Sequence, residues 1–82
     1  MQVILTPKAL KQFNKLPLAD QSKIKKKLLL LEQSPLEGKK LTGELADLRS
    51  LRAWPFRILY HVQPKEKKLY VVTVAHRQGV YS

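Results

Sequence analysis

The sequence predicts one α+β domain, with an N-terminal strand and a helical hairpin packed on an antiparallel sheet of about four strands. Three observations predict it. At 82 residues the chain, residues 1–82, has room for a single domain. Its apolar residues recur at helical spacing as far as Gln33 and at strand spacing after Gly43. Pro17, Pro35, Gly38 and Pro64 punctuate the boundaries between those runs.

Val3, Ile4 and Leu5 form the first strand. Thr6-Pro7 opens a helix, because threonine caps and proline suits the first helical position. Leu10, Phe13 and Leu16 share one face of it, and Lys8, Lys11 and Lys15 take the others. Leu16-Pro17-Leu18 breaks this helix. A second runs from about Leu18 to Gln33, with Ile24, Leu28 and Leu31 as its apolar stripe. Lys23, Lys25, Lys26 and Lys27 ride its outer side, and Ser34-Pro35 ends it. So tight a junction makes the two helices an antiparallel hairpin.

After Gly43 the pattern turns extended. Leu48 to Ala53 is a strand, and Phe56 to Val62 is another, with Phe56, Ile58, Tyr60 and Val62 on one face. Gln63 to Lys68 is a polar turn. Leu69 to Ala75, a β-branched run, reads as a central strand, and His76 to Ser82 as a tail. The last three strands form a meander that the first strand joins. Helices then cover one face of the sheet and leave the other open.

Sixteen Lys and Arg stand against six Asp and Glu, a formal net charge of +10. Such a field attracts polyanions, and nucleic acid is the partner it fits best. No cysteine is present, which removes disulfides and thiolate metal sites, and the two histidines, His61 and His76, do not suggest a zinc site. Neither metal nor cofactor is expected. The longest apolar run, Leu28 to Leu31, is far short of the ~18–20 residues of a membrane span. Met1 to Leu5 lacks a basic leader, so the expectation is a cytoplasmic protein without a signal peptide.

If Phe56, Ile58 and Tyr60 face the helices, Arg57, Leu59 and His61 face the open side. Arg49 and Arg52 lie on the neighbouring strand. Three residues apart, they cannot both project from one face unless a bulge or twist near Trp54-Pro55 reconciles them. His76, Arg77 and Tyr81 follow the last strand. A cluster of Arg, Tyr and His with no acidic residue beside it suits phosphate and stacked bases. Tyr60 reads first as core, His61 as a surface residue, and Trp54 as a packed turn residue with base stacking as the alternative. No glycine-rich phosphate loop is present, and Glu44, Asp47 and Glu66 are too scattered for a two-metal nuclease.

The stretch LTGELADLRSLRAWPFRILYHV resembles the centre of RelE-type toxins of toxin–antitoxin pairs. The matching residues are Leu41 and Gly43, then Arg49 and Arg52, then Phe56 to Tyr60. His76, Arg77, Val80 and Tyr81 resemble the family's closing pattern, and the likeness runs along essentially the whole chain. It implies a ribosome-dependent endoribonuclease that cuts mRNA in the ribosomal A site, without a metal, by 2′-hydroxyl attack to a 2′,3′-cyclic phosphate. It implies catalytic roles for Arg52, Arg57, His76, Arg77 and Tyr81. RNA contacts would come from Arg49, Lys39, Lys40 and Trp54. A cognate antitoxin, the ribosome and mRNA are the implied partners. ParE-type relatives share the fold but inhibit DNA gyrase, so a gyrase inhibitor is the alternative, and a non-catalytic RNA-binding domain the third. The chain departs from the pattern at Ser50, where several members carry a titratable residue, at the Trp54-Pro55 turn, and in ending one residue after Tyr81.

Overall fold

In the computed structural model, which describes residues 1–78, strand β1 (Gln2–Leu5) leads into helix α1 (Pro7–Asn14) through Thr6. Thr6 has an extended backbone, and its hydroxyl accepts from the Ala9 N–H at 3.3 Å, satisfying one of the helix's orphan donors. Helix α2 (Leu18–Gln33) follows at once. The Gln21 side-chain amide donates to the Leu16 carbonyl at 3.0 Å and pins the corner. Ile24 and Leu31 are fully buried, as their spacing predicts. Phe13 on α1 and Leu16 just past its end pack on the core as expected, but Ala9 takes the place expected of Leu10, which is 47% exposed. The small Ala9 side chain lets this short helix approach the sheet closely, and Phe13 and Leu16 follow it at i+4 and i+7.

Among the described residues the sheet has five strands, where about four are expected, in the order β1-β5-β4-β3-β2. The addition is β2 (Lys39–Lys40), a two-residue edge strand opposite Ser50 and Arg49 of β3 (Arg49–Ala53). Two lysines carry no apolar alternation, so nothing in the sequence marks them as a strand. β3, β4 (Phe56–Gln63) and β5 (Lys68–His76) form the expected antiparallel meander. β1, however, pairs with β5 in parallel, so the sheet is mixed. The helical hairpin carries the chain from β1 to the opposite edge, and the meander then works its way back until β5 lies beside β1.

A register shift falls between Leu59 and Tyr60: Leu59 pairs with Thr73 and Tyr60 with Val71, which leaves Val72 as an extra residue. This bulge lets Val71 and Val74, three apart, both face the core. Beyond Leu5 the outer edge of β5 has no strand partner among the described residues, and the Gln12 side-chain oxygen accepts the Val74 N–H at 2.8 Å. No helix among the described residues is long and apolar enough to cross a membrane.

Between the layers lie Ile24, Leu31, Ile58, Tyr60, Leu69, Val71 and Val74, all fully buried. Tyr60 also carries a polar task. Its hydroxyl accepts from the Gly38 N–H at 2.8 Å and donates to the Pro35 carbonyl at 2.8 Å. Gly38 is needed there, since a Cβ on it would sit 2.6 Å from the Tyr60 hydroxyl oxygen and 2.7 Å from the ring. Burial pushes the Tyr60 hydroxyl above the ordinary tyrosine value, while the Gly38 hydrogen bond and the Arg49 charge act the other way.

Tyr60→Phe, which orphans both backbone partners, is expected to cost about 1–3 kcal/mol in urea unfolding. Gly38→Ala should cost more, because ring and backbone must both shift. The unfolded chain's tyrosine ionises near pH ~10, and the folded one only above that. Stability due to neutral Tyr60 is therefore intact below pH ~10 and lost as pH rises past it. The urea midpoint should fall more steeply as pH rises above about 10 in the parent chain than in Tyr60→Phe.

Candidate functional site

Alternation along β4 puts Arg57 on the sheet face opposite the helices, since Ile58 and Tyr60 on either side of Leu59 face the core. Directly across on β3 stands Arg52, and across on β5 stands Ala75. Two like charges opposed on adjacent strands destabilise a ladder. Packing therefore does not account for this pair, and a bound anion would. Ser50, two residues before Arg52 and 5% exposed, lies beneath them, and Arg57 Nη1 reaches its hydroxyl at 3.5 Å.

Trp54 stands at the mouth, half exposed, in the β3–β4 turn. The Arg77 guanidinium lies 4.8 Å from its ring centroid and that of Arg52 5.9 Å away, both within cation–π range. The turn contains a cis Trp54-Pro55 bond. It is held from two sides: Lys23 Nζ donates to the Trp54 carbonyl at 3.1 Å, and the Arg77 N–H donates to the Pro55 carbonyl at 2.9 Å.

These groups surround a cavity of about 610 Å³, lined by Lys39, Lys40, Leu41, Thr42, Ser50, Arg52, Trp54, Arg57 and Arg77. Five of its described lining residues are cationic, and none is a carboxylate or an imidazole. Nor do the described residues contain any cluster of His, Asp and Glu that could hold a metal ion. The arrangement can grip phosphate oxygens through paired guanidinium donors and stabilise charge that develops on them. The exposed indole offers a surface on which a base can stack.

Six of the nine candidate residues are thus brought together: Lys39, Lys40, Arg52, Trp54, Arg57 and Arg77. Arg49 is not among them. It pairs with core-facing Tyr60, and its Nη1 donates to the Gly38 and Leu36 carbonyls at 2.9 and 3.4 Å. No bulge between β3 and β4 reconciles the two; the register shift lies between β4 and β5, so Arg49 and Arg52 stay on opposite faces, as their spacing of three residues implies. His76 is also turned away. It pairs with Phe56, and the two rings meet edge to face at 6.0 Å, on the side of the sheet away from Arg57. Its Nδ1 accepts from the Gln78 N–H at 3.4 Å. Tyr81 and Val80 lie outside the described residues.

His61 sits at the far end of β4, where its ring nitrogens meet the Asp47 carbonyl at 2.9 Å and the Gln63 side-chain amide at 2.6 Å. Ser50 had a signal that sequence reasoning passed over as a site residue: it is two before Arg52, hence on the same face. Lys23 had none, being one lysine among several on an exposed helix.

The profile of a family described as ParE toxin of type II toxin-antitoxin system, parDE, matches residues 3–81. Among solved structures the chain is similar to a chain of the RelBE2 toxin–antitoxin complex from Mycobacterium tuberculosis. Identity there is 29%, the TM-score 0.86, and the alignment covers 93% of this chain and 90% of that one. It is also similar to a chain of the intact RelBE toxin–antitoxin complex of E. coli, at 25% identity and a TM-score of 0.77, covering 92% of this chain and 94% of that one. A YoeB/ParE toxin from Agrobacterium tumefaciens shares the fold at 19% identity and a TM-score of 0.82, over 94% of this chain and 99% of that one. No curated protein sequence matches the chain.

A cavity of this kind predicts salt-dependent binding of single-stranded RNA. Arg57→Ala and Arg77→Ala should each lower the slope of log affinity against log salt by about 0.7, one phosphate contact. In the same anisotropy titration, His76→Ala should leave the slope unchanged.

Proposed function

The chain belongs to the ParE toxin family of type II toxin–antitoxin systems, and we propose that it is a toxin acting as a ribosome-dependent endoribonuclease on messenger RNA in the ribosomal A site. The observation that carries this reading is the opposed pair Arg52 and Arg57, joined by Arg77 around a cavity whose described lining has no carboxylate. In the proposed reaction the 2′-hydroxyl attacks the adjacent phosphorus, the bond to the 5′-oxygen breaks, and a 2′,3′-cyclic phosphate and a 5′-hydroxyl result. Arg57 and Arg77 hold the scissile phosphate and offset the charge that builds on it. Arg52 polarises the attacking hydroxyl, Trp54 stacks on a base, and Lys39 and Lys40 engage the RNA backbone. Proton transfer falls to Tyr81. Arginine holds its proton too tightly to serve as the base. His76, on the other side of the sheet, is given no role. The ribosome supplies the positioning that so small a domain lacks, which places the toxin in the cytoplasm.

A cognate antitoxin is the expected protein partner, and complexes of that kind are among the structural neighbours. An acidic segment would complement this surface. A second reading, inhibition of DNA gyrase, is favoured by two observations: the matching profile is that of ParE toxins, and the described cavity lining offers no imidazole or carboxylate for proton transfer.

Mapping 5′ ends on a defined message in a translating extract separates the two. The nuclease reading expects cuts inside codons at the A site, dependent on ribosomes. Arg57→Ala or Arg77→Ala should cut about 100–1000-fold more slowly while remaining folded. An intact message, together with loss of supercoiling by purified gyrase, would establish the second reading. Failure in both assays with retained RNA binding would leave a non-catalytic RNA binder.

A further inference from the structure

A second cavity, of about 250 Å³, opens between the end of β4 and the segment that enters β3. It shares Lys40 with the first cavity. On the edge strand, Lys39 pairs with Ser50 of the first cavity and Lys40 with Arg49 of the second, so one residue step passes from one to the other. Arg52 and Arg49, one beside each cavity, lie on opposite faces of β3, so the path from one cavity to the other runs round the β2 edge at Lys40, which lines both.

The walls of this second cavity are held in place before anything binds. Arg49 Nη1 donates to the Leu36 and Gly38 carbonyls. Its Nη2 and Nε have no partner among the described residues, so a fixed guanidinium keeps donors for a ligand. The His61 ring is clamped between the Asp47 carbonyl and Gln63. Leu48 and Pro64 add an apolar wall. Fixing these groups in advance lowers the entropy lost on binding.

We infer that this cavity is a subsite for the nucleotide next to the one held at Arg57, on the same single strand of RNA. Its phosphate lies at Lys40 and Arg49, and its base lies against Leu48 and Pro64. Asp47, on the rim, offers an acceptor to an amino group of that base. The inference rests on the reading of the first cavity as an RNA site.

The test compares two non-cleavable probes by NMR titration, a 2′-O-methyl nucleoside 3′,5′-bisphosphate and a 2′-O-methyl trinucleotide. The parent chain should bind the trinucleotide at least about tenfold more tightly, the scale of one nucleotide's contacts. Ala46→Glu, an exposed rim position, should abolish that gain and leave bisphosphate binding unchanged. Leu36→Glu, also exposed on the rim, should do the same should the first variant fold poorly. Absence of a length gain in the parent chain, or a gain that survives both glutamates, overturns the subsite alone. Probe binding that is absent, or indifferent to Arg57→Ala, overturns the RNA reading of the first cavity and this subsite with it.

Discussion

The Tyr60 hydroxyl, set between the Gly38 N–H and the Pro35 carbonyl, is the contact on which the rest of the arrangement depends. Helix α2 must end, turn and become the edge strand β2 within five residues, from Ser34 to Gly38. A turn so short leaves backbone donors and acceptors that cannot reach one another, and inside the protein each needs a partner. Tyr60 supplies one donor and one acceptor from the middle of β4. Arg49, paired with Tyr60 across the ladder, satisfies the same segment through the Leu36 and Gly38 carbonyls. The segment so held delivers Lys39 and Lys40 to the rim of the cavity. A core residue therefore decides where the site's lysines stand, without touching the site.

The cavity is arranged against stability. Arg52 and Arg57 face each other across the β3–β4 ladder with no described carboxylate in the lining to relieve them. Trp54 moderates that repulsion by offering ring faces to Arg52 and Arg77. Lys23 reaches over from α2 to hold the turn that carries Trp54. Strain of this electrostatic kind is tolerated where it serves a ligand, since the anion that binds removes it. The apolar core pays for it elsewhere: Ile24, Leu31, Ile58, Leu69, Val71 and Val74 are all withdrawn from water in a chain of only 82 residues.

Period-two alternation sorts the candidate residues, and it does so more strictly than proximity in sequence. His76 and Arg77 are neighbours, yet one meets Phe56 on the helix side while the other lines the cavity. Arg49 and Arg52 part company for the same reason. The bulge at Val72 could have changed such an assignment, but it lies inside β5 before Thr73 and acts on the core face, where it keeps Val71 and Val74 together.

Much of this protein is legible in its sequence. Thr6-Pro7, Pro17 and Ser34-Pro35 mark the helix ends, because capping and the missing proline donor act locally. The Ile24 and Leu31 stripe and the alternation of Phe56, Ile58 and Tyr60 announce their buried faces, because periodicity is set by the geometry of one element. The charge of +10 sets up a field that attracts polyanions, because net charge depends on composition alone. Tertiary structure decided the rest. The parallel pairing of β1, the edge strand at Lys39–Lys40 and the cavity itself depend on contacts between segments distant in the chain, where no local preference operates. Which arginines converge was decided there too. Arg52, Arg57 and Arg77 share a face only because β3 and β4 pair in one register and the backbone of Arg77 is tied to Pro55.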